Sequence, residues 1–179
     1  YTPDLTGGFR GQKGDVYDGG MRVPYFFKWP GKIAPGTVSV ERITHIDLYP
    51  TFSDLAGLPR PEGHVLDGES LAGLLTGKVT SLPEREIVCY YPKYANFNEK
   101  TKTWRYPWRN VIYDGKWKLR EVVEYGTYEL YDLEQDPNEE KDLSKSHPEK
   151  VRQIIKKLRR WEQEVGAPEL TTNPDYALK

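Results

Sequence analysis

Lys13 lies in a segment that is unusually rich in glycine, GGFRGQKGDVYDGG (residues 7–20), in which six of fourteen residues are glycine. Glycine adopts positive φ angles and allows close backbone approach, but it loses more conformational entropy on folding than other residues. Glycines clustered around one cation therefore indicate a tightly folded loop or a loop that touches a ligand. Backbone N–H groups and an ammonium group in such a loop can bind an anion such as sulfate or phosphate.

Two common nucleotide-binding motifs do not account for this loop. A P-loop has glycine directly before its lysine and serine or threonine directly after it, whereas Gln12 and Gly14 flank Lys13. A dinucleotide-binding fingerprint follows a strand and opens a helix, and the sequence pattern predicts neither element here. A solvated lysine in a surface turn is the alternative interpretation.

The second candidate site is the basic aromatic segment YYPKYANFNEKTKTWRYPWRN, residues 90–110. Cations alternate with rings in this segment: Lys93, Lys100, Lys102, Arg105 and Arg109 with Tyr94, Phe97, Trp104, Tyr106 and Trp108. Rings can stack on sugar faces while cations meet sulfate or carboxylate groups. We therefore take Tyr91, Tyr94, Trp104 and Arg105 as candidate substrate-binding residues. A surface loop whose aromatic side chains pack on a neighbouring sheet is the alternative.

The other residues that could carry chemistry form no motif. Cys89 is the only cysteine and the three histidines are scattered, so their spacing indicates neither an internal disulfide nor a metal site. The net charge of −1 provides no general basic field for nucleic acid or an anionic lipid surface. Apolar runs fall well short of the ~18 residues of a membrane span. The sequence thus predicts no metal ligands, no nucleic-acid partner and no membrane partner.

Short elements follow the glycine-rich loop in the first half of the chain. The apolar run 23–29 predicts a buried strand that stops at Pro30-Gly31. Residues 47–57 predict an amphipathic helix with Asp47 as the N-cap and Gly57 after its end. The apolar face of that helix would carry Leu48, Phe52 and Leu55. SLAGLLTG, ending at Gly77, predicts one or two further helical turns.

Strands in series dominate from residue 83 onward. REIVCYYP predicts one strand, and RNVIYDGKWKLREVVEYGTYELYDL predicts a three-stranded antiparallel meander with turns at Asp114-Gly115 and Tyr125-Gly126. Ser146 and Glu149 have capping-box spacing ahead of a helix that ends at Gly166. The apolar face of this helix would carry Val151, Ile154, Ile155, Leu158, Trp161 and Val165. We expect the helix to cover the sheet.

These elements predict an α+β chain with a boundary near residue 80. Residues 1–80 would be the remnant of a larger α/β unit, and residues 81–179 an antiparallel sheet packed by a C-terminal helix. The opening YTPDLTGGFRG has neither an initiator methionine nor a signal pattern, so we expect this chain to be a fragment of a longer one.

The order of several segments resembles the C-terminal part of the arylsulfatase family. These segments are FRGQKGDVYDGGMRVPYFFKWPGKIAPGT, ITHIDLYPTFSDLAGLP, LDGESLAGLLTG, DGKWKLRE and YELYDLEQDPNEEKDLS, followed by the final helix. The resemblance covers nearly the whole chain, and KGDVYDGGMRVP and ELYDLEQDP are its specific parts. It implies the end of an alkaline-phosphatase-like α/β domain over 1–80 and a sulfatase C-terminal subdomain over 81–179.

The resemblance also implies hydrolysis of sulfate esters, with Lys13 as the catalytic, substrate-binding lysine that grips the sulfate group. Sulfatases use a formylglycine made from Cys or Ser together with a divalent cation, usually calcium. This chain lacks the Cys-x-Pro-x-Arg segment, with Cys89 lying outside any such motif, and it lacks the Asp-rich metal site. Asp4 lies near the position of a family Asp-Asn pair but is not assigned as a ligand. Asp18 stands where the family more often has Glu, and we expect this shorter side chain to keep a structural contact in the loop.

Calcium and formylglycine are therefore expected in a missing N-terminal part, and the isolated chain is expected to be inactive. The implied partners are that N-terminal catalytic half and a sulfated small molecule or glycan; the resemblance favours a periplasmic or secreted location. Two alternatives stay open at this point: a non-catalytic carbohydrate-binding or interaction module, and part of a related phosphodiester or phosphonate hydrolase.

Overall fold

The computed structural model describes residues 5–171, apart from the side chain of Ala95, and the chain divides into two compact units. One unit contains the residues up to Val23 together with those from Arg85 onward, and the other is Pro24–Glu84. The glycine-rich loop thus belongs with the C-terminal half of the chain.

The larger unit contains a short helix, a long helix and six strands within its described residues. They are α1 (Asp18–Met21), β1 (Glu86–Tyr91), β2 (Ala95–Asn98), β3 (Thr103–Tyr106), β4 (Arg109–Asp114), β5 (Trp117–Val122), β6 (Thr127–Asp132) and the long helix, which we number α4 (Pro148–Glu164). The smaller unit contains α2 (Leu48–Leu55) and α3 (Ala72–Leu75), with a 3₁₀ turn at His45–Asp47. None of the described helices is long and apolar enough to cross a membrane.

A four-stranded antiparallel sheet in the order β1-β4-β5-β6 organises the larger unit. The predicted meander is confirmed as β4, β5 and β6, and the predicted strand β1 pairs with β4 at the edge. Gly115 and Gly126 take up positive φ angles of 58° in the two connections, which fits the turn residues predicted there. Strands β2 and β3 form a separate two-stranded hairpin.

Helix α4 covers one face of this sheet, as the sequence predicts. Its buried residues Val151, Ile154 and Leu158 pack in one cluster with Ile112, Leu119 and Leu130 of the strands. The end of the predicted apolar face lies outside the core, because Val165 is exposed. Through this apolar contact, α4 and the sheet form two packed layers.

The predicted capping box at the start of α4 is wrong. The hydroxyl of Ser146 donates to the carbonyl of Leu143 at 3.1 Å, and His147 occupies the N-cap position. Glu149 forms an ion pair with Arg152 one turn further along the helix. Pro148 begins the helix instead, since its fixed φ angle suits the first helical position.

The glycine-rich loop and α1 cover the opposite face of the sheet. Val16 packs with Val111 and Tyr113 of β4, and Met21 lies against the same cluster. Successive strand residues point to opposite faces, so Val111 and Tyr113 face the loop while Ile112 faces α4. The sequence predicts only the helical cover, and the loop as a second cover is a finding of the structure.

The smaller unit is held together by buried polar groups around Asp47. Its carboxylate accepts hydrogen bonds from the N–H groups of Thr44 (2.8 Å) and Glu69 (2.9 Å). The Thr51 hydroxyl donates to the Asp47 carbonyl and accepts from the N–H of Leu71 at 2.9 Å. These bonds connect α2 with the segment that leads into α3.

Two predictions for the smaller unit are wrong in detail. Helix α2 exists as predicted, but Phe52 is exposed, whereas the buried residues are Pro50, Thr51 and Ser53. The bonds of Thr51 explain the difference, because they turn that side of α2 inward. The apolar run 23–29 forms no strand, and Phe26 is 89% exposed. A strand needs a neighbour for its backbone groups, and no described residue pairs with this run.

Candidate functional site

The glycine-rich loop is folded so tightly that two of its glycines leave no room for a side chain. The N–H of Gly19 donates to the carbonyl of Arg10 at 2.7 Å. A Cβ on Gly19 would lie 2.5 Å from that same oxygen, and a Cβ on Gly20 would collide with the carbonyl of Asp15. The glycines are therefore a packing requirement of this loop.

A four-residue turn, Gln12–Asp15, displays Lys13. The N–H of Asp15 donates to the Gln12 carbonyl at 2.8 Å, and the Asp15 carboxylate accepts the N–H of Gln12 at 3.1 Å. Gly14 has a φ of 96°, which strongly disfavours a residue with a Cβ. The Lys13 side chain is exposed, and no described residue forms a hydrogen bond or ion pair with its ammonium group. The geometry thus leaves this cation available to an anionic ligand.

Arg109, the first residue of β4, lies beneath this turn. Its Nη2 donates to the carbonyl of Gly14 at 3.0 Å, and its Nη1 is 4.0 Å from Oδ1 of Asp15. The guanidinium lies 4.8 Å from the ring centre of Tyr106 and 5.6 Å from that of Tyr91. The side chain is 2% exposed. The turn therefore rests on a buried cation of the sheet.

A buried ion cluster fixes the far end of the loop. Lys118 Nζ is fully buried, 2.7 Å from Oδ1 of Asp18 and 2.7 Å from Oε1 of Glu139. The other Glu139 oxygen accepts the N–H of Asp18 at 2.6 Å, and the Tyr113 hydroxyl donates to the Asp18 carboxylate at 2.9 Å. Burial raises the pKa of Glu139, and the charge of Lys118 opposes that rise. Asp18 does make a structural contact, but its carboxylate contacts the sheet, whereas the contact was expected in the loop.

A second polar cluster joins the start of the loop to β5 and β6. The Arg10 guanidinium lies 3.9 Å from the ring centre of Tyr17 and donates to the Tyr131 hydroxyl at 3.1 Å. Glu129 accepts hydrogen bonds from Tyr17 (2.8 Å), Tyr131 (2.9 Å) and Arg120 (2.6 Å). Both ends of the loop are thus tied to the same face of the sheet.

The middle of the basic aromatic segment folds as the β2–β3 hairpin, where Tyr94, Phe97 and Trp104 form a partly exposed cluster, whereas Tyr106 and Trp108 are buried. Trp104 lies opposite Phe97 in the strand register, with ring centres 4.9 Å apart. Tyr94 meets Trp104 edge to face at 5.5 Å. Trp104 and Phe97 nevertheless stay more than a third exposed, so these rings contact each other and still present a surface.

The predicted substrate-binding residues of this segment lie in two groups. Trp104 packs with Tyr94, whereas the Arg105 guanidinium lies 5.1 Å from the ring centre of Tyr106, a ring that also lies near Arg109. Tyr106 shares the face of Trp104, and its ring lies 3.5 Å from where a Cβ on Gly14 would be. Hence the face that carries Trp104 adjoins the turn that displays Lys13, while Tyr91, in β1, lies beside Arg109.

Sequence reasoning missed three residues that hold the site: Lys118 and Glu139 were not singled out, and Arg109 was named only as one cation of the basic segment. A charge at Lys118, next to the core residue Leu119 in KWKLRE, was the available indication of a buried partner. Cys89 is half-buried, and this burial raises the pKa of its thiol, which is the opposite of what activates a cysteine.

The described residues 5–171 contain no group of three or more histidine, cysteine, aspartate or glutamate side chains that could hold a metal ion. Asp4 lies outside the described residues. The exposed ammonium group of Lys13 can bind an anion.

Comparison with known proteins identifies the family. The family model of the C-terminal region of N-sulphoglucosamine sulphohydrolase matches residues 10–165, a range that includes the loop, the sheet and α4. A sulfatase from Formosa agariphila is 31% identical over an alignment of 186 positions. This alignment covers 91% of this chain and 32% of that protein. N-acetylgalactosamine-6-O-sulfatase of Bacteroides thetaiotaomicron is 30% identical over an alignment of 172 positions. This alignment covers 88% of this chain and 30% of that protein. The chain thus spans about a third of the length of these two relatives.

Solved structures agree with the sequence relatives. The crystal structure of Ps i-CgsB in complex with k-i-k-neocarrahexaose has a TM-score of 0.69 at 25% identity, covering 85% of this chain and 31% of that one. A structure from work on the metabolism of multiple glycosaminoglycans by Bacteroides thetaiotaomicron has a TM-score of 0.66 at 28% identity, covering 87% and 32%. The predicted α+β fold is therefore confirmed, and the chain belongs to the sulfatase family, where it matches the C-terminal region.

Proposed function

We propose that the complete protein hydrolyses sulfate esters and that Lys13 binds the sulfate group of its substrate. The observation that carries the proposal is the Gln12–Asp15 turn, which presents an exposed ammonium group from a rigid, glycine-packed loop. A surface lysine without a role would not need a loop in which two glycines are sterically required. Family membership supplies the reaction class.

Lys13 would act by electrostatic stabilisation. The distribution of negative charge over the sulfate oxygens changes as the ester bond breaks. A cation that is already in place stabilises this charge without reorganising. The described residues do not form a calcium site or a formylglycine motif, so both groups are expected in the N-terminal part of the protein. The role derived for this chain is therefore to hold and orient the sulfate.

The hairpin would form part of the rim that admits the substrate. Tyr94 and Trp104 present partly exposed rings on the face that adjoins the Lys13 turn, and Tyr91 lies beside Arg109. The Arg105 guanidinium lies 5.1 Å from the ring centre of Tyr106 and would meet an anionic group of the substrate. One relative is named for N-acetylgalactosamine and one structure contains a neocarrahexaose, which favours a sulfated glycan as the substrate class.

The N-terminal part of the protein is the proposed partner of residues 24–84. This unit exposes large apolar side chains, among them Phe26, Val38 and Val40. Exposed apolar groups in such numbers are typical of a surface that another part of a protein covers. A division into an α/β remnant over 1–80 and a subdomain over 81–179 is proposed for the complete enzyme.

Replacing Lys13 with alanine in the complete protein tests the function. We expect kcat/KM for a small aryl sulfate to fall by about two orders of magnitude, the scale of losing one donor to a transition-state oxyanion. Lys145→Ala is the matched control, because Lys145 is an exposed lysine of the same unit with no part in the loop. Retention of more than about half of kcat/KM by Lys13→Ala would refute the assignment.

Paired substrates separate the proposed function from its alternatives. A sulfatase should hydrolyse an aryl sulfate with a far higher kcat/KM than the matching phosphate or phosphonate ester. The opposite ranking would indicate a phosphodiester or phosphonate hydrolase, and the lack of turnover of either ester would indicate a non-catalytic binding module.

A further inference from the structure

We propose that Arg109 is a positioning residue for Lys13: its buried guanidinium fixes the Gln12–Asp15 turn and thereby sets the direction of the Lys13 ammonium group. The inference rests on the proposed role of Lys13 in binding sulfate. It extends that role from the exposed loop to a buried residue of the sheet.

The contacts of Arg109 reach the backbone on both sides of Lys13. After Lys13, Nη2 donates directly to the carbonyl of Gly14 at 3.0 Å. Before Lys13, the link runs through Asp15: one carboxylate oxygen lies 4.0 Å from Nη1, and the other accepts the N–H of Gln12 at 3.1 Å. One side chain therefore restrains both peptide units that determine where Lys13 points.

Arg109 is itself held in place by rigid neighbours. It lies in the central strand β4, paired with Tyr91 in β1 and Val122 in β5. The rings of Tyr91 and Tyr106 lie near its guanidinium, and the Tyr106 ring also lies close to Gly14. The guanidinium is planar and carries five donors in a fixed arrangement. Its orientation therefore determines where the hydrogen-bonded turn lies.

The pairing of Arg109 differs from that of the other cations on this face of the sheet. Lys118 and Arg120 each have a carboxylate oxygen within 2.7 Å, whereas the ion-pair partner of Arg109 within the described residues, Asp15, is 4.0 Å away. Like that of Arg120, its Nε has no hydrogen-bond partner among the described residues. Burial lowers the pKa of this guanidinium. A buried, incompletely paired cation costs stability, so its contact with the turn is the gain that explains its presence.

A double-mutant cycle in the complete protein tests the inference. Arg109→Met should lower kcat/KM for an aryl sulfate about tenfold when Lys13 is present. In the Lys13→Ala background the same change should lower it less than twofold, because there is no ammonium left to position. Contacting residues that act through one another show this kind of non-additivity.

Two further variants keep the test decisive. Arg120→Met removes a neighbouring arginine that does not touch the turn, and its effect should be the same in both backgrounds. If Arg109→Met fails to fold, Asp15→Ala serves instead, because it removes the carboxylate that connects Arg109 with the N–H of Gln12 and lies at a less buried site. The effect of Asp15→Ala on kcat/KM should likewise disappear in the Lys13→Ala background.

The outcomes distinguish the two proposals. An equal loss from Arg109→Met in both backgrounds, or no loss in either, would overturn the positioning role and leave the function of Lys13 intact. A Lys13→Ala protein that retains more than about half of the wild-type kcat/KM would instead overturn the role of Lys13, and with it the positioning role.

Discussion

The glycine-rich loop and the β2–β3 hairpin both present cations, but they are held by opposite means. Buried charges anchor the loop: Arg109 under the Lys13 turn and Lys118 under α1. The hairpin is stabilised by partly exposed rings around Trp104 and by the exposed ion pair between Lys102 and Glu99. One region fixes the backbone turn that carries a single ammonium group, and the other presents several groups that can adapt.

This difference matches the demands of two kinds of recognition. A group that stabilises charge in a transition state must be held in place before the reaction, because reorganisation would cost free energy. Groups that recognise a large, variable ligand gain from rings that stack and from long cationic side chains that adjust. We therefore expect changes under the loop to affect stability and chemistry, and changes in the hairpin to affect substrate choice.

The largest effect is expected at Lys118. Lys118→Met would leave the carboxylates of Asp18 and Glu139 buried without their cation. Breaking a buried ion pair by removing one partner costs about 3–5 kcal/mol. Denaturant unfolding of the complete protein should show this loss in the transition of the sheet-containing unit.

A compensating change sharpens the comparison. Replacing Glu139 with glutamine in the Lys118→Met protein removes one of the stranded charges, so part of the lost free energy of unfolding should return. Lys141→Met, at an exposed lysine of the same unit, serves as the control. A loss below about 1 kcal/mol for Lys118→Met would mean that the loop is not anchored by this cluster.

The local elements of this fold could be predicted from sequence because their patterns repeat over short distances. Alternation in the strands from β4 to β6 and the 3.6-residue period of α4 identified the sheet and its helical cover. The glycine content of residues 7–20 identified the loop as the first candidate site, because backbone that is packed this closely requires glycine and the composition shows it.

The supporting residues could not be predicted because their contacts connect distant parts of the chain. Arg109 lies 95 residues from Gly14, and Lys118 lies 100 residues from Asp18. Nothing local to β4 or β5 indicates which face the loop will cover. Residues 23–29 failed for a related reason: an apolar run predicts burial, but a strand forms only where another strand supplies its hydrogen bonds.

Specificity changes of intermediate size are expected in the hairpin. The double change Trp104→Ala and Arg105→Ala should cost an extended sulfated oligosaccharide about 2–4 kcal/mol of transition-state stabilisation, the sum of a lost ring contact and a lost charge-assisted hydrogen bond. A small aryl sulfate should lose little, because it does not extend to the rim. Measuring kcat/KM for both substrates, with Tm for each protein, checks this.

The two single variants separate the ring from the cation. Trp104→Ala removes a partly exposed ring, and Arg105→Ala removes a guanidinium that lies 5.1 Å from the ring centre of Tyr106, so each should account for part of the loss with the oligosaccharide. Equal losses for large and small substrates together with a lower Tm would show that these side chains only stabilise the hairpin.

The smallest effect is expected at Lys157, which, like Lys118, lies between two carboxylates, but near the surface. Its ammonium is 2.9 Å from Glu86 and 2.6 Å from Asp114, and 28% of the side chain is exposed. The hydrogen bond from Lys157 holds the pKa of Glu86 below its ordinary value of 4.5. Burial would raise the pKa of Asp114, but the hydrogen bond and charge of Lys157 outweigh it, and that pKa is also lowered from 3.8.

A carboxylate whose pKa is depressed by folding stabilises the protein above its unfolded pKa and loses that contribution as the pH falls through its folded pKa. The contribution of Lys157 should therefore be complete above about pH 5 and should disappear progressively below about pH 4. Lys157→Met should cost less than about 1 kcal/mol at pH 7, since partly exposed ion pairs contribute little. The free energy of unfolding of the variant should approach that of the wild type as the pH falls toward 3. If the difference in free energy of unfolding between the two proteins stays constant from pH 7 to pH 3, Lys157 acts by packing its aliphatic chain on the sheet and not through its charge. Burial alone would then not explain why Lys118 and Lys157 differ.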